Sequence, residues 1–244
     1  MNKTEAARER LMVALDVSSL GEARRAVERL RGVAGWFKVG SQLFTSAGPA
    51  VVEMIKNTSS AKVFVDLKFH DIPATVALAG KAVADLGADL FNVHAMGGAR
   101  MMETASRQVV DHCAERGRPK PLIIAVTVLT SMSSTDLDGI GITSTPMELA
   151  LDYAALAKRS GMDGVVASPE EARAIKDKVG KDFVVVTPGV RPSWAGADDQ
   201  RRIKTPAEAI KNGADYLVVG RPIMKADDPA EAAARIVEEI ESAI

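Results

Sequence analysis

A short run of charged residues ends one of the apolar segments of the sequence. The stretch VFVDLKFHDIPATV, residues 63–76, begins like a buried strand and then places Asp66, Lys68 and Asp71 within six positions. Formal charges are costly to bury unless they are paired. Asp66 and Lys68 are two residues apart, so on a strand they share one face with Cα atoms about 6.5 Å apart. The spacing fits a catalytic array, and it also fits an ion pair that only closes the end of a strand.

The types of these residues indicate one kind of chemistry. A lysine between carboxylates keeps its proton, because nearby negative charge favours the ammonium form. Such a lysine is a poor general base at neutral pH, but it is a good fixed cation and proton donor. The pattern therefore favours a reaction that creates negative charge on a carbon and then protonates it. The sequence offers no cysteine pair, Schiff-base environment or dinucleotide loop as an electron sink, so we expect no cofactor.

Eight short apolar runs must position these residues. The runs lie at residues 11–15, 36–40, 62–67, 90–94, 122–129, 164–168, 183–187 and 216–220. Helical segments separate them, several with Pro in the first turn and Gly at the end, as helix termini prefer. Near-continuous apolar strands that alternate with helices predict a parallel sheet covered by helices. Eight such units predict an α/β fold of the (β/α)8 TIM barrel type, with a doubly wound open sheet as the alternative.

The composition is that of an ordinary globular chain. Its 244 residues have a formal net charge of -1 and are 47% hydrophobic, which argues against disorder. No linker interrupts the pattern, so we expect one catalytic domain over residues 1–244. The single cysteine, Cys113, cannot form an intramolecular disulfide, and no segment resembles a signal peptide or a membrane span. We expect a cytoplasmic protein without nucleic-acid or membrane partners, whose positive charge is confined to a pocket.

Polar residues fall where the predicted strands end. In a (β/α)8 barrel the carboxyl ends of the strands form the face that carries the chemistry. The polar residues at or just after those ends are Asp16, Lys38, Asp66, Lys68, His94, Thr130, Ser131, Ser168, Arg191 and Arg221. Any one of them could simply reach water, but the whole set predicts a single charged mouth.

One end of that mouth has the composition of a phosphate site. A connection without regular period, residues 187–206, follows the seventh strand, and loops of this length are usually lids or binding loops. Gly220 and Arg221 close the eighth strand with an accessible backbone and a guanidinium. Phosphate sites in these barrels are often built by the loops after strands seven and eight. We therefore predict a phosphate clamp of Arg191, Gln200, Arg221 and the Gly220 amide.

The charged stretch also resembles a known signature. The pattern D-x-K-x-x-D-I-P-x-T is similar to that of the orotidine 5'-monophosphate decarboxylase family in its bacterial form, and here it is Asp66, Lys68, Asp71, Ile72, Pro73 and Thr75. Six further segments match the family in order, namely ALDV, FKVG, VTVLTSM, TPGVRP, DDQRR and YLVVGRPI.

The resemblance implies an activity and a set of residue roles. It implies decarboxylation of orotidine 5'-monophosphate to UMP and CO2 in pyrimidine biosynthesis, without a metal or an organic cofactor. The implied catalytic array is Lys38, Asp66, Lys68 and Asp71. The implied substrate contacts are Asp16 and Lys38 at the ribose, Thr130 and Ser131 at the pyrimidine, and Arg191, Gln200, Gly220 and Arg221 at the phosphate, with Pro188 as a further substrate contact. Asp71, Ile72 and Thr75 are implied to reach the neighbouring subunit's site, which makes the expected protein a homodimer with shared active sites.

Other barrels remain as alternatives. Magnesium-dependent sugar-phosphate lyases of the 3-keto-gulonate 6-phosphate decarboxylase and hexulose-phosphate synthase kind share D-x-K-x-x-D. Those relatives resemble a site with an acidic metal ligand on the second strand. This sequence has Lys38 there, and a lysine would repel the metal ion. A phosphoribosyl isomerase barrel is more distant. A barrel that only binds phosphorylated ligands would use Arg221 but would not need a buried row of Asp and Lys.

Overall fold

The strands of the protein close into a parallel barrel. The computed structural model describes residues 2–192, 194 and 204–244. The eight strands pair in the order β1 to β8, and β8 pairs with β1. Their bounds are β1 Leu11–Ala14, β2 Trp36–Gly40, β3 Lys62–Phe69, β4 Leu90–His94, β5 Leu122–Val126, β6 Gly164–Val166, β7 Val184–Pro188 and β8 Tyr216–Val219. The predicted (β/α)8 TIM barrel is confirmed, and the open-sheet alternative is wrong.

Helices cover the outside of the barrel. They are α1 Lys3–Arg8, α2 Leu20–Leu30, α3 Ser41–Ala47, α4 Ala50–Thr58, α5 Pro73–Asp85, α6 Gly98–Glu115, α7 Ser134–Asp138, α8 Pro146–Arg159, α9 Ala172–Val179, α10 Pro206–Lys211, α11 Arg221–Met224 and α12 Pro229–Glu241, with a 3-10 turn at Ala95–Gly97. Several begin at Pro, and α8 and α10 start with reciprocal capping boxes from Thr145 and Thr205. Within the described residues, no helix is both long and apolar enough to cross a membrane.

The period of two along each strand divides the core into two parts. One side of the strands packs against the helices, and the other fills the barrel. The barrel filling includes Met12, Trp36, Phe64, Leu90, Ile124 and Val186, all almost completely buried. Two residues further along the same strands stand Ala14, Lys38, Asp66, Asn92, Val126 and Pro188. The layer next to the mouth is therefore the one that contains polar side chains.

The opposite end of the barrel contains the same set of polar contacts three times, each centred on an aspartate. An aspartate just before an even-numbered strand accepts a hydrogen bond from the backbone of the preceding odd-numbered strand and pairs with a lysine. The three sets are Asp89 with Val63 N and Lys56, Asp163 with Ile123 N and Lys120, and Asp215 with Val185 N and Lys176, all at 2.5–2.7 Å. Each set ties two neighbouring strands together at the face of the barrel that favours stability over chemistry.

Candidate active site

A cavity of about 320 Å³ opens at the carboxyl ends of the strands. Its lining includes most of the predicted site. The residues are Ala14, Asp16, Lys38, Phe64, Asp66, Lys68, Val126, Val128, Leu129, Thr130, Val166, Pro188, Gly189, Val190, Arg191, Val218, Gly220, Arg221 and Pro222. The cavity is therefore charged on the side of β1 to β3 and apolar at its floor.

Four charged side chains form an alternating row along one wall of the cavity. Lys68 Nζ lies 2.7 Å from Asp66 Oδ1. Lys38 Nζ lies 3.3 Å from Asp66 Oδ2 and 3.3 Å from Asp16 Oδ1. Lys38 and Asp66 are buried at 8% and 9% exposure, so their charges are compensated by each other and not by water. The row leaves the Lys68 ammonium, the most exposed of its two lysines, facing the cavity.

The backbone that presents Lys68 is not a regular strand. Among the described residues, Lys68 is the one non-glycine residue with a positive φ, at 51°. The register between β3 and β4 shifts between Val65 and Phe69, as it does where a bulge interrupts a ladder. A left-handed residue other than glycine costs about 1–2 kcal/mol. The alternation of side chains along a regular strand predicted that Asp66 and Lys68 share a face. The two side chains are in contact, but an irregular backbone at Lys68 brings them together and not a regular strand.

Asn92 is part of the site and was missed in the sequence. It is fully buried on β4. Its Nδ2 donates to Asp66 Oδ1 at 2.7 Å, and its Oδ1 accepts the backbone N–H of Lys68 at 2.8 Å. The available signal was a polar residue two positions after Leu90 in an otherwise apolar run. Such a residue must point into the barrel, at the level of Lys38 and Asp66.

The electrostatics of the row keep Asp66 ionised. Burial by itself would raise the pKa of Asp66, but the charges of Lys38 and Lys68 and the hydrogen bonds from Lys68 and Asn92 together outweigh burial. The net effect is a pKa below the ordinary value of 3.8. The ionised Asp66 is thus the direct counter-charge of the Lys68 ammonium, at 2.7 Å.

A histidine pair lies next to the row. The rings of His70 and His94 are stacked with centroids 5.4 Å apart. Burial lowers the pKa of His94, and the charges of His70 and Lys68 lower it further. The lowered pKa favours the neutral ring, and the Nδ1 of His94 accepts a hydrogen bond from the backbone of Met96.

The predicted phosphate residues lie at the other side of the cavity. Arg191, Gly220 and Arg221 all line it, as does the predicted substrate contact Pro188, and Arg191 is only 6% exposed. A Cβ at Gly220 would lie 3.2 Å from an Asp16 carboxylate oxygen, which is close enough to force a shift in the row. Two guanidinium groups and a bare backbone thus flank one end of the cavity. Gln200, the fourth member of the predicted clamp, lies outside the described residues.

The remaining predicted residues are divided. Thr130 lines the cavity, whereas Ser131 is exposed beside it and is not part of the lining. Asp71, Ile72 and Thr75 stand at the start of α5, and all three are exposed. None of these three lines the cavity of its own chain as far as the described residues define it.

The described residues contain no group of three or more His, Cys, Asp or Glu side chains that could hold a metal ion. The two carboxylates closest to such an arrangement, Asp16 and Asp66, have the Lys38 ammonium between them. The positive charge between these two carboxylates is therefore the ammonium group of Lys38.

Known proteins resemble the chain along almost its whole length. The model of the "Orotidine 5'-phosphate decarboxylase / HUMPS family" matches residues 9–236. A relative from Trichlorobacter lovleyi is 53% identical over 96% of this chain and 96% of its own, and one from Moorella thermoacetica is 51% identical over 96% and 93%. Both are named orotidine 5'-phosphate decarboxylase.

A solved structure agrees with them. The crystal structure of orotidine 5'-phosphate decarboxylase from Lactobacillus acidophilus is similar to this protein with a TM-score of 0.83 and 36% identity, covering 94% of this chain and 98% of that one. The similarity thus extends over all eight strands that build the cavity. The chain belongs to the orotidine 5'-phosphate decarboxylase family.

Proposed function

We propose that the protein is a carboxy-lyase that converts orotidine 5'-monophosphate to UMP and CO2 in pyrimidine biosynthesis, without a metal or an organic cofactor. The observation that carries the proposal is the row of Asp16, Lys38, Asp66 and Lys68 on the cavity wall. The family and the names of the relatives support the same reaction.

Lys68 is the central group of the proposed reaction. When the bond between C6 and the carboxylate breaks, its electron pair stays on C6 as an sp2 carbanion that has no attached electron sink. The Lys68 ammonium stabilises this charge and then transfers a proton from Nζ to C6. Lys68 afterwards takes up a proton from solvent, which restores the ammonium beside Asp66.

Asp66 acts on the substrate before the bond breaks. Its ionised carboxylate faces the same cavity as the substrate carboxylate must. Two such charges about 4 Å apart repel each other by about 4 kcal/mol at an effective dielectric constant of about 20. The repulsion disappears as neutral CO2 departs, so it lowers the barrier and not only the affinity.

Binding of the substrate phosphate at the far end of the cavity offsets the repulsion between Asp66 and the substrate carboxylate. Arg191, Arg221 and the Gly220 backbone hold the 5'-phosphate in the proposed complex, with Gln200 as a fourth contact. Interactions with a part of the substrate that does not react can offset unfavourable contacts at the part that does. Asp16 and Lys38 hold the ribose, and Thr130 and Ser131 lie at the pyrimidine.

The start of α5 completes the site of a second subunit in this proposal. Asp71 and Thr75 are exposed and are not among the described residues that line the cavity of their own chain. Large apolar side chains are exposed at the start of α5, with Ile72 at 66% and Leu78 at 63%, and Met96 is 46% exposed in the 3-10 turn after β4. Such groups favour a protein interface, and a homodimer of two-fold symmetry would place each α5 start against the partner's cavity.

Lys38 argues against the magnesium-dependent alternative. Its ammonium lies within 3.3 Å of both Asp16 and Asp66, which are the carboxylates that a divalent ion would need. A cation bound there would face a buried positive charge at close range.

Turnover in the presence of a chelator tests the proposal. The purified protein should consume orotidine 5'-monophosphate, measured as loss of the orotate absorbance, at the same rate with and without EDTA. Activity that disappears with EDTA and returns with Mg²⁺ would support the sugar-phosphate lyase alternative. A lack of turnover in both conditions would refute the proposed reaction.

A further inference from the structure

Asn92 joins the two ends of the Asp66-Leu67-Lys68 segment from the neighbouring strand. Its Nδ2 donates to the Asp66 carboxylate and its Oδ1 accepts from the Lys68 backbone. Because one partner can only accept and the other can only donate, the orientation of the amide is fixed. A fully buried amide with both ends satisfied is a specific arrangement, since an apolar side chain there would leave the Lys68 backbone N–H without this partner.

The hydrogen bond to Lys68 replaces one that the strand ladder cannot supply. The β3–β4 pairing is interrupted between Val65 and Phe69, and Lys68 has a left-handed backbone. Nothing about a lysine favours that conformation, because its Cβ is strained there. The contact from Asn92 Oδ1 is therefore part of what holds the kink in place.

The hydrogen bond to Asp66 fixes the second group. Asp66 Oδ1 receives both the Asn92 amide and the Lys68 ammonium at 2.7 Å. Asp66 Oδ2 faces Lys38 at 3.3 Å. The amide thus restricts the rotation of the carboxylate on which Lys68 rests.

We propose that Asn92 is a positioning residue that holds the Lys68 backbone in its left-handed kink and the Asp66 carboxylate beneath the Lys68 ammonium, so that the ammonium is aimed into the cavity. The kinetic part of this inference rests on the proposed function, and the structural part does not. Asn92 acts through Lys68 and Asp66, so its loss should lower kcat and leave the binding of the phosphate end unchanged.

The structural part is tested by the crystal structure of the Asn92→Ala variant. We expect Lys68 to return to a negative φ, or its Nζ to move beyond about 4 Å from Asp66. A variant in which the kink and the Lys68–Asp66 contact are both unchanged would overturn the inference. This result does not depend on which reaction the protein catalyses.

The kinetic part is tested by comparing kcat with the dissociation constant for UMP. Small displacements of a catalytic group cost up to about 100-fold, so we expect Asn92→Ala to lose about 10- to 100-fold in kcat while UMP binds within about threefold of the unaltered protein. Val93→Ala is the matched control, because Val93 is equally buried on the same strand and packs on the helix side. An unchanged kcat in Asn92→Ala, or an equal loss in Val93→Ala, would contradict the positioning role. Failure of the unaltered protein to turn over the nucleotide would instead refute the proposed function, and the crystal structure would still decide the role of Asn92.

A conservative variant separates the two hydrogen bonds. Asn92→Asp keeps an acceptor for the Lys68 backbone but replaces the donor to Asp66 with a second carboxyl. That carboxyl would face Asp66, with Lys38 and Lys68 behind it and His94 two residues along β4. Two carboxyls at one site share a proton as the pH falls, which restores a donor. The kcat of this variant, relative to that of the unaltered protein, should therefore rise as the pH is lowered, and a flat ratio would count against the inference.

Discussion

Lys68 Nζ lies 2.7 Å from Asp66 Oδ1, and the two residues reach this contact across a left-handed backbone at Lys68. The chain accepts local strain and the burial of the Asp66 charge to form it. Both costs oppose folding, so the contact is better explained by what it does in the cavity than by what it adds to stability.

Replacement of Lys68 should abolish turnover without abolishing binding. We expect Lys68→Ala to lower kcat by at least about 1000-fold, because it removes both the charge that stabilises the carbanion and the proton donor. UMP should still bind, since the phosphate residues are at the other end of the cavity. Steady-state kinetics and calorimetric titration with UMP measure the two effects. Lys62→Ala is the control, because Lys62 is on the same strand at the opposite end and pairs with Glu9; it should retain full activity.

Mixed dimers should recover activity from two inactive variants. A mixed dimer contains one Lys68→Ala chain and one Asp71→Ala chain. One of its two sites then combines the Lys68 of the Asp71→Ala chain with the Asp71 of the Lys68→Ala chain, and the other site lacks both residues. An equal mixture forms half mixed dimers, so roughly a quarter of the original activity should return. Differently tagged chains allow subunit exchange to be proven by affinity capture. Exchange without recovery would show that Asp71 does not serve the partner's site.

The effect of losing Arg221 should depend on the phosphate of the substrate. A charge-assisted hydrogen bond contributes about 1.5–3 kcal/mol, so we expect Arg221→Ala to raise KM for orotidine 5'-monophosphate about 10- to 150-fold. The matching measurement uses orotidine, which lacks the phosphate. If Arg221 acts on the phosphate, the variant and the unaltered protein should process orotidine equally slowly. A similar loss with both substrates would place Arg221 elsewhere in the mechanism.

The ionisation of Asp66 should be visible in stability at low pH. The folded state lowers the pKa of Asp66 below its ordinary value of 3.8, because the lysine charges and the hydrogen bonds from Lys68 and Asn92 together outweigh burial. Its stabilising contribution is therefore present above about pH 4 and is lost as the pH falls through the lower folded-state value. Urea denaturation between about pH 5 and pH 2.5 should show a shallower loss of unfolding free energy for Asp66→Asn than for the unaltered protein. Asp111→Asn, on the exposed face of α6, should keep the original slope.

The sequence predicted most of the scaffold because strand periodicity and helix termini are local properties. The runs at 36–40 and 90–94 match β2 and β4, and the mouth contains Lys38, Asp66 and Lys68 as the strand ends required. The run at 122–129 was too long, because the chain leaves the sheet at Val126 although VTVL stays apolar. Residues that follow a strand can remain apolar because they still pack on the core, as Val128 does at 6% exposure.

The features that sequence reasoning missed depend on contacts between distant segments. A left-handed residue is usually signalled by Gly or Asn, and Lys68 gives no such signal. Asn92 reads as a lone polar residue until β3 and β4 are placed side by side. Residues 193 and 195–203, which include Gln200, fall outside the described part of the chain, so that part of the predicted clamp stays a prediction.

The three sets of polar contacts centred on Asp89, Asp163 and Asp215 lie at the end of the barrel away from the cavity. They tie neighbouring strands through backbone groups, whatever side chains occupy the mouth. A protein engineer could therefore exchange mouth residues to accept a different nucleotide while the ring keeps its shape. The same separation gives evolution room to revise the chemistry of the barrel one loop at a time.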